Sequence, residues 1–171
     1  MKNKSLIIFF IFLFNLVFFK AYGIEVFNFN VTEIQISENG NKFVGVNRGT
    51  ITSNDGISIE ADEFEYDKNQ NILNANGNVE VTDNINKYYI STNNITYKKQ
   101  DEIIITSGNS KALSLSDNII IYSEDFIYDR KKNIINANKN VVIENQNKDY
   151  KKKFNFVDFF LDENRIFSKG K

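Results

Sequence analysis

The sequence predicts an all-β chain, a repeat-built stack of antiparallel strands whose unit is 31 residues and two strands. Three observations carry this expectation. Residues 57–83 align without gaps to residues 119–145 with 12 of 27 positions identical, and eight of those are not Asn, so an asparagine-rich composition does not produce the match. A middle copy lies at half that spacing, marked by Tyr66, Tyr97 and Tyr128 at steps of 31 residues. Within each copy apolar and polar residues alternate at period two, the mark of a half-buried strand, and no segment after residue 24 holds a helical period.

Taken in order, the chain opens with a targeting segment. Lys2 and Lys4 precede an apolar run from Leu6 to Phe19, interrupted only by Asn15 and followed by Lys20-Ala21-Tyr22-Gly23. A positive start, a short apolar stretch and small residues before the cut define a secretory signal peptide over 1–23, with cleavage after Gly23. The run is short of the roughly 20 apolar residues that span a bilayer, which disfavours an uncleaved anchor. From Ile24 onward 18 basic residues face 22 acidic ones, an ordinary soluble surface. Residues 24–171 are read as one periplasmic β domain.

A degraded copy leads, with Gly49 and Ile51 in the places of Gly77 and Val79 after a register slip. In the first clear copy Ile57, Ile59 and Ala61 share one face, while Ser58, Glu60 and Asp62 share the other. Parity then changes: Phe64 and Tyr66 become the inward set, which predicts a bulge or corner at Asp62-Glu63. After the polar turn Lys68–Asn71, the residues Leu73, Ala75, Gly77, Val79 and Val81 form a second inward row. The same columns recur as Ile90, Ile95 and Ile104 in the middle copy, and as Ile121, Phe126, Ile135, Val141 and Ile143 in the third. Short turns at 67–71, 98–102 and 129–133 predict antiparallel hairpins. A further copy begins near Phe154, where residues 159–171 echo residues 126–139, and the sequence ends inside it; either a partner protein completes that edge or the sequence is a fragment of a longer chain.

Composition narrows the function. With no His and no Cys the ordinary general base, thiol nucleophile, disulfide and zinc, haem or iron–sulfur ligands are missing, and no Ser–Lys or carboxylate-pair motif replaces them. No catalytic residues, metal site or cofactor are therefore expected. The carboxylates Glu60, Asp62, Glu63, Glu65 and Asp67 lack the spacing of a calcium loop and alternate between faces. A net charge of −1 lacks the basic face that nucleic acid needs, so no nucleic-acid partner is expected. The run Lys148–Lys153, interrupted by Asp149 and Tyr150, is read as a solvated loop rather than a contact for lipid phosphates.

The run Ala61-Asp62-Glu63-Phe64-Glu65-Tyr66-Asp67, followed by Ala75-Asn76-Gly77-Asn78-Val79, resembles the OstA-like (organic-solvent-tolerance) domain of the lipopolysaccharide-transport proteins LptA and N-terminal LptD. The likeness covers roughly residues 30–171; the third copy departs from it with Lys139 where Gly is usual, and the middle copy reads Ser107-Gly108-Asn109-Ser110. The resemblance implies a β-jellyroll, a U-shaped strand stack whose apolar interior holds the acyl chains of lipopolysaccharide. It also implies edge-strand pairing with other Lpt-family β-domains on the way to the outer membrane. Periodicity alone favours a packed core over a ligand trough, and the resemblance reverses that order. The lipid-groove residues it implies are Ile57, Ile59, Phe64, Tyr66, Leu73, Val79, Val81, Ile90, Ile95, Ile104, Ile121, Phe126, Ile135, Val141 and Ile143. For the three tyrosines, a packing ladder across neighbouring strands is as good a reading as lipid contact. The rival is an exported structural β-repeat scaffold with a dry core.

Overall fold

Alternation at period two over short segments, broken by Asn- and Gly-containing turns, gives strands almost throughout. The computed structural model describes residues 26–145, 147, 150–163 and 165–168, so the segment read as a signal peptide lies outside the described residues. Among the described residues fifteen strands follow one another: β1 Phe27–Asn30, β2 Glu33–Ser37, β3 Lys42–Val46, β4 Gly49–Ser53, β5 Ile57–Ala61, β6 Glu63–Asp67, β7 Ile72–Asp83, β8 Tyr88–Lys98, β9 Ile103–Ser107, β10 Ser110–Ser114, β11 Ile119–Ser123, β12 Asp125–Asp129, β13 Ile134–Asn145, β14 Tyr150–Phe160 and β15 Arg165–Phe167. From β5 on, strand pairs begin at Ile57, Tyr88, Ile119 and Tyr150, and their partners at Ile72, Ile103, Ile134 and Arg165. Among the described residues the one helical element is a single 3-10 turn at Glu38–Gly40.

All fifteen strands belong to one antiparallel sheet that is folded over on itself. One layer runs β1, β4, β5, the second half of β7, the first half of β8, β10, β11, the second half of β13 and the first half of β14. The other runs β2, β3, β6, the first half of β7, the second half of β8, β9, β12, the first half of β13, the second half of β14 and β15. The strands β7, β8, β13 and β14 pass through both layers and form the crease of a U-shaped jellyroll. The corner expected at Asp62-Glu63 is where β5 leaves one layer and β6 enters the other.

The crease has a local cause. Pairs of residues with left-handed backbone turn the chain there: Gly77-Asn78 (φ +75° and +45°), Gly108-Asn109 (+84° and +52°) and Lys139-Asn140 (+63° and +53°). Pairing skips at these points, between Asn76 and Val79 and between Asn138 and Val141. Glycine and asparagine pay least for this conformation, which explains the Asn78, Asn109 and Asn140 column. In the degraded copy the left-handed pair is Asn47-Arg48 (φ +65° and +32°). This corrects the expected alignment: Gly49 stands in the place of Val79 rather than Gly77, and Ile51 in that of Val81.

Two further expectations are corrected. Lys151, Lys152 and Lys153 lie in β14 rather than in a solvated loop, because the ladder with β13 sets Lys151 opposite Glu144, with which it forms an ion pair, and Lys153 opposite Val142; Lys148 and Asp149 lie outside the described residues. At the same end, Phe159 takes the position of Tyr128, since both stand opposite Ile135, so the echo begins two residues away from its expected alignment.

Cross-strand neighbours form apolar columns along the stack. In one layer Ile51, Ile59, Val81, Ile90, Ala112, Ile121 and Ile143 stand successively opposite one another. In the other the column is Phe43, Tyr66, Leu73, Tyr97, Ile104, Tyr128, Ile135, Phe159 and Ile166. These rows face each other and make one core.

Candidate functional site

The interior between the layers is the candidate site, and its walls are the columns. All fifteen residues expected to line a lipid groove belong to the continuous buried cluster, and none exposes more than 4% of its surface. The layers touch through aromatic rings. Phe27 of β1 sits edge-on to Tyr66 at 5.0 Å and to Tyr97 at 5.9 Å, and Phe29 stacks on Phe43 at 5.7 Å. Tyr88 and Tyr128 meet at 6.0 Å. Tyr66, Tyr97 and Tyr128 thus alternate with Leu73 and Ile104 along their column, and each meets an aromatic ring of the other layer.

At the crease, where strands bend and lose ladder bonds, buried hydroxyls replace them. Thr92 Oγ1 donates to the Gly108 carbonyl at 3.1 Å, Ser110 Oγ to Thr106 Oγ1 at 2.6 Å, and Ser123 Oγ to the Asn138 carbonyl at 2.7 Å. Outside the crease, three of the five clustered carboxylates, Glu60, Asp62 and Glu65, pair with cationic side chains. Arg48 reaches Glu60 at 2.9 Å and Asp62 at 3.2 Å, and Asp62 also accepts from Asn78 Nδ2 at 2.7 Å. Glu65 pairs with Lys42 at 2.7 Å.

Opposite the crease lies the mouth, where the turns of one layer face those of the other. It is closed by an ionic cluster that sequence reading missed. Arg130, in the β12–β13 turn, has a side chain only 3% exposed. Its Nε donates to Asp83 Oδ2 at 2.8 Å, its Nη1 to Asp55 Oδ2 at 2.6 Å, and its Nη2 to the Asp55 carbonyl at 3.0 Å. Asp55 belongs to the β4–β5 turn and Asp83 ends β7, both on the other lip. The Tyr97 hydroxyl donates to Asp55 at 2.7 Å and that of Tyr128 to Asp83 at 3.0 Å, while Asn86 Nδ2 donates to the Tyr128 hydroxyl at 3.0 Å. Lys99 adds an ion pair to Asp55.

The cluster shifts its members' proton affinities. Burial would raise the Asp55 carboxyl, but Lys99, Ser53, Tyr97 and the Arg130 charge hold it well below the usual carboxylate range. Asp83 is likewise lowered: burial is outweighed by hydrogen bonds from Arg130 and the Asn86 backbone. Burial, with a carboxylate beside each hydroxyl, pushes Tyr97 and Tyr128 far above the ordinary phenol value. Arg130, despite burial, is held more firmly protonated by Asp83. One part of this was visible in the sequence: Asp83 continues the inward parity of Val79 and Val81, a carboxylate at an interior position. Asp55 and Arg130 sit in turns and carry no such signal.

Past the cluster toward β14 the lips part. A cleft of about 330 Å³ opens between Ile85, Tyr88 and Asp117 on one lip and Asn133, Leu161 and Asp162 on the other. The Asn133 side-chain oxygen is buried without a hydrogen-bond donor among the described residues.

The arrangement defines a class: a folded-over antiparallel stack with an LptA-like β-jellyroll architecture, an apolar interior and a polar-sealed mouth. A solved structure of this class is the crystal structure of LptH, the LptA-homologous periplasmic component of the lipopolysaccharide transport device of Pseudomonas aeruginosa; this chain is similar to it with a TM-score of 0.57 and 14% identity over 66% of this chain and 81% of that one. No family model matches the sequence, and no curated protein matches it. Among the described residues no helix is long and apolar enough to cross a membrane.

Proposed function

We propose that the chain is a periplasmic lipopolysaccharide-binding and transfer domain. On this reading the acyl chains lodge between the two layers, and the protein hands the lipid toward the outer membrane without catalysis. The observation that carries the reading is the set of apolar columns that run the length of the stack and face each other across a mouth closed by side chains rather than by strand pairing. An acyl chain of fourteen carbons in water costs on the order of 10 kcal/mol at about 0.8 kcal/mol per methylene, so an apolar slot gives it a large reason to enter. Contacts of this kind are non-directional, and a chain slides along a uniform column without breaking a specific bond at each step. A signal peptide over residues 1–23, as the sequence leads one to expect, would give a periplasmic setting. The fold likeness to a transport component supports the substrate class.

The stack ends at β1 and β2 on one side and at β14 and β15 on the other, and among the described residues each of β1, β2 and β15 pairs with a single neighbour. Such edges accept a strand from another Lpt-family β-domain. The near-complete burial of the columns favours the rival reading, a structural scaffold with a dry core. The two readings separate by crosslinking. A small diazirine amino acid at inward Ile59, Leu73 or Ile121, compared with outward Ser58 or Asn74, is irradiated with lipopolysaccharide. Adducts at inward sites only support the lipid reading; equal labelling, or none at inward sites in a folded protein, supports the scaffold.

A further inference from the structure

We propose that Arg130 is a latch: by gripping Asp55 and Asp83 it holds the two layers shut at the mouth, and release of this grip is what parts them. The inference rests on the interior being the ligand site, and it names how access to that site is controlled.

Three observations meet here. The fifteen groove residues are closed to solvent, so anything that enters must first part the layers. Among the described residues the layers have no strand pairing across the mouth; they meet through side chains, and one guanidinium supplies three of the polar links, to Asp83 Oδ2, Asp55 Oδ2 and the Asp55 carbonyl. Where the cluster ends the lips separate into the cleft beside Leu161, and Asn133 keeps an unpaired acceptor there. The crease opposite is covalently continuous through β7, β8, β13 and β14, so the layers move as two leaves on one hinge. A planar fork satisfied by two carboxylates on the far lip holds such leaves in a single geometry. When it lets go, the apolar walls face water, and an apolar ligand re-covers them.

The test needs no ligand. The chain has no cysteine, so Ala112→Cys, at an inward position 1% exposed, supplies one buried thiol whose rate of reaction with an apolar maleimide reports opening. Asp55→Asn keeps the side-chain shape and leaves Arg130 its Asp83 partner, so the fold is retained. Arg130→Lys is the second variant, keeping the charge but not the fork. Each is expected to speed labelling about tenfold, the equivalent of roughly 1.4 kcal/mol, while Arg48→Gln, in the cluster outside the crease, leaves it unchanged. Spin labels at Ile85→Cys and Lys131→Cys, one on each lip, are expected to show a longer and broader distance in Asp55→Asn. Unchanged labelling in both latch variants with an unchanged distance in Asp55→Asn, or an equal acceleration in Arg48→Gln, overturns the proposal. If the leaves part but inward positions never crosslink to lipopolysaccharide, the latch stands and the lipid reading fails.

Discussion

Replacing Gly77 with Ala perturbs the crease at one atom. Gly77 has φ +75°, and a Cβ there meets Asp62 Oδ2 at 2.5 Å and Asp62 Cβ at 3.0 Å. The left-handed backbone costs an L-residue roughly 1–2 kcal/mol, and the lower entropy of Ala in the unfolded chain returns about 0.4–1 kcal/mol. To make room Asp62 must also leave Asn78, whose amide it accepts at 2.7 Å, and Arg48. The loss is therefore about 1 kcal/mol or somewhat more, which for a chain of this size lowers Tm by about 2–4 °C for each kcal/mol. Lys139 holds the equivalent place with φ +63° and a side chain already present, and Glu124, in the place of Asp62, accepts from Asn140 Nδ2 at 2.8 Å. Lys139→Gly removes left-handed strain without a clash and raises stability by up to about 1 kcal/mol. Urea denaturation followed by circular dichroism measures both. A Gly77→Ala protein as stable as the parent, or a Lys139→Gly protein less stable, refutes the account of the crease.

Arg130→Met leaves Asp83, whose side chain is 1% exposed, as an uncompensated buried carboxylate and is expected to cost about 3–5 kcal/mol in a denaturant titration; adding Asp83→Asn and Asp55→Asn to it restores most of that loss. Tyr97 and Tyr128 keep their protons in the fold above the pH at which the unfolded chain releases them, so stability falls above about pH 10 by about 1.4 kcal/mol per pH unit for each, and Tyr128→Phe flattens the alkaline limb. The lowered carboxyls act in the opposite direction: the stabilisation from Asp55 and Asp83 is complete above about pH 4 and is lost as pH falls toward their folded values, so Asp83→Asn flattens the acid limb of the same pH–stability curve.

Most of the strand layout was legible because it rests on side-chain parity, and parity is local. Ile57, Ile59 and Ala61, then Phe64 and Tyr66, expose the change of face at Asp62 directly in the residue order, and the turns at 67–71, 98–102 and 129–133 separate the strands as expected. The degraded copy was misaligned because Asn47-Arg48 does the work of Gly77-Asn78, and glycine spacing was the wrong marker where asparagine and arginine take the left-handed bend. The lysine run was misread because charge density speaks for solvent, while the ladder with β13 decides that the backbone is a strand. The link between Asp55 and Arg130 was invisible for another reason. Asp55 and Arg130 lie 75 residues apart in two turns, and they meet only because the sheet folds over at the crease.

Strand pairs from β5 onward begin at regular intervals, each pair adding two rungs to either leaf, and neighbouring strands lie about 4.8 Å apart. Every additional copy of the unit thus extends the molecule by two rungs, about 9.6 Å, without altering its cross-section. Reach and bore are set independently: copy number fixes how far the protein extends, and the residues of a single copy fix the width. Duplication or loss of a unit would change the span of such a stack in discrete increments while leaving its interior columns intact.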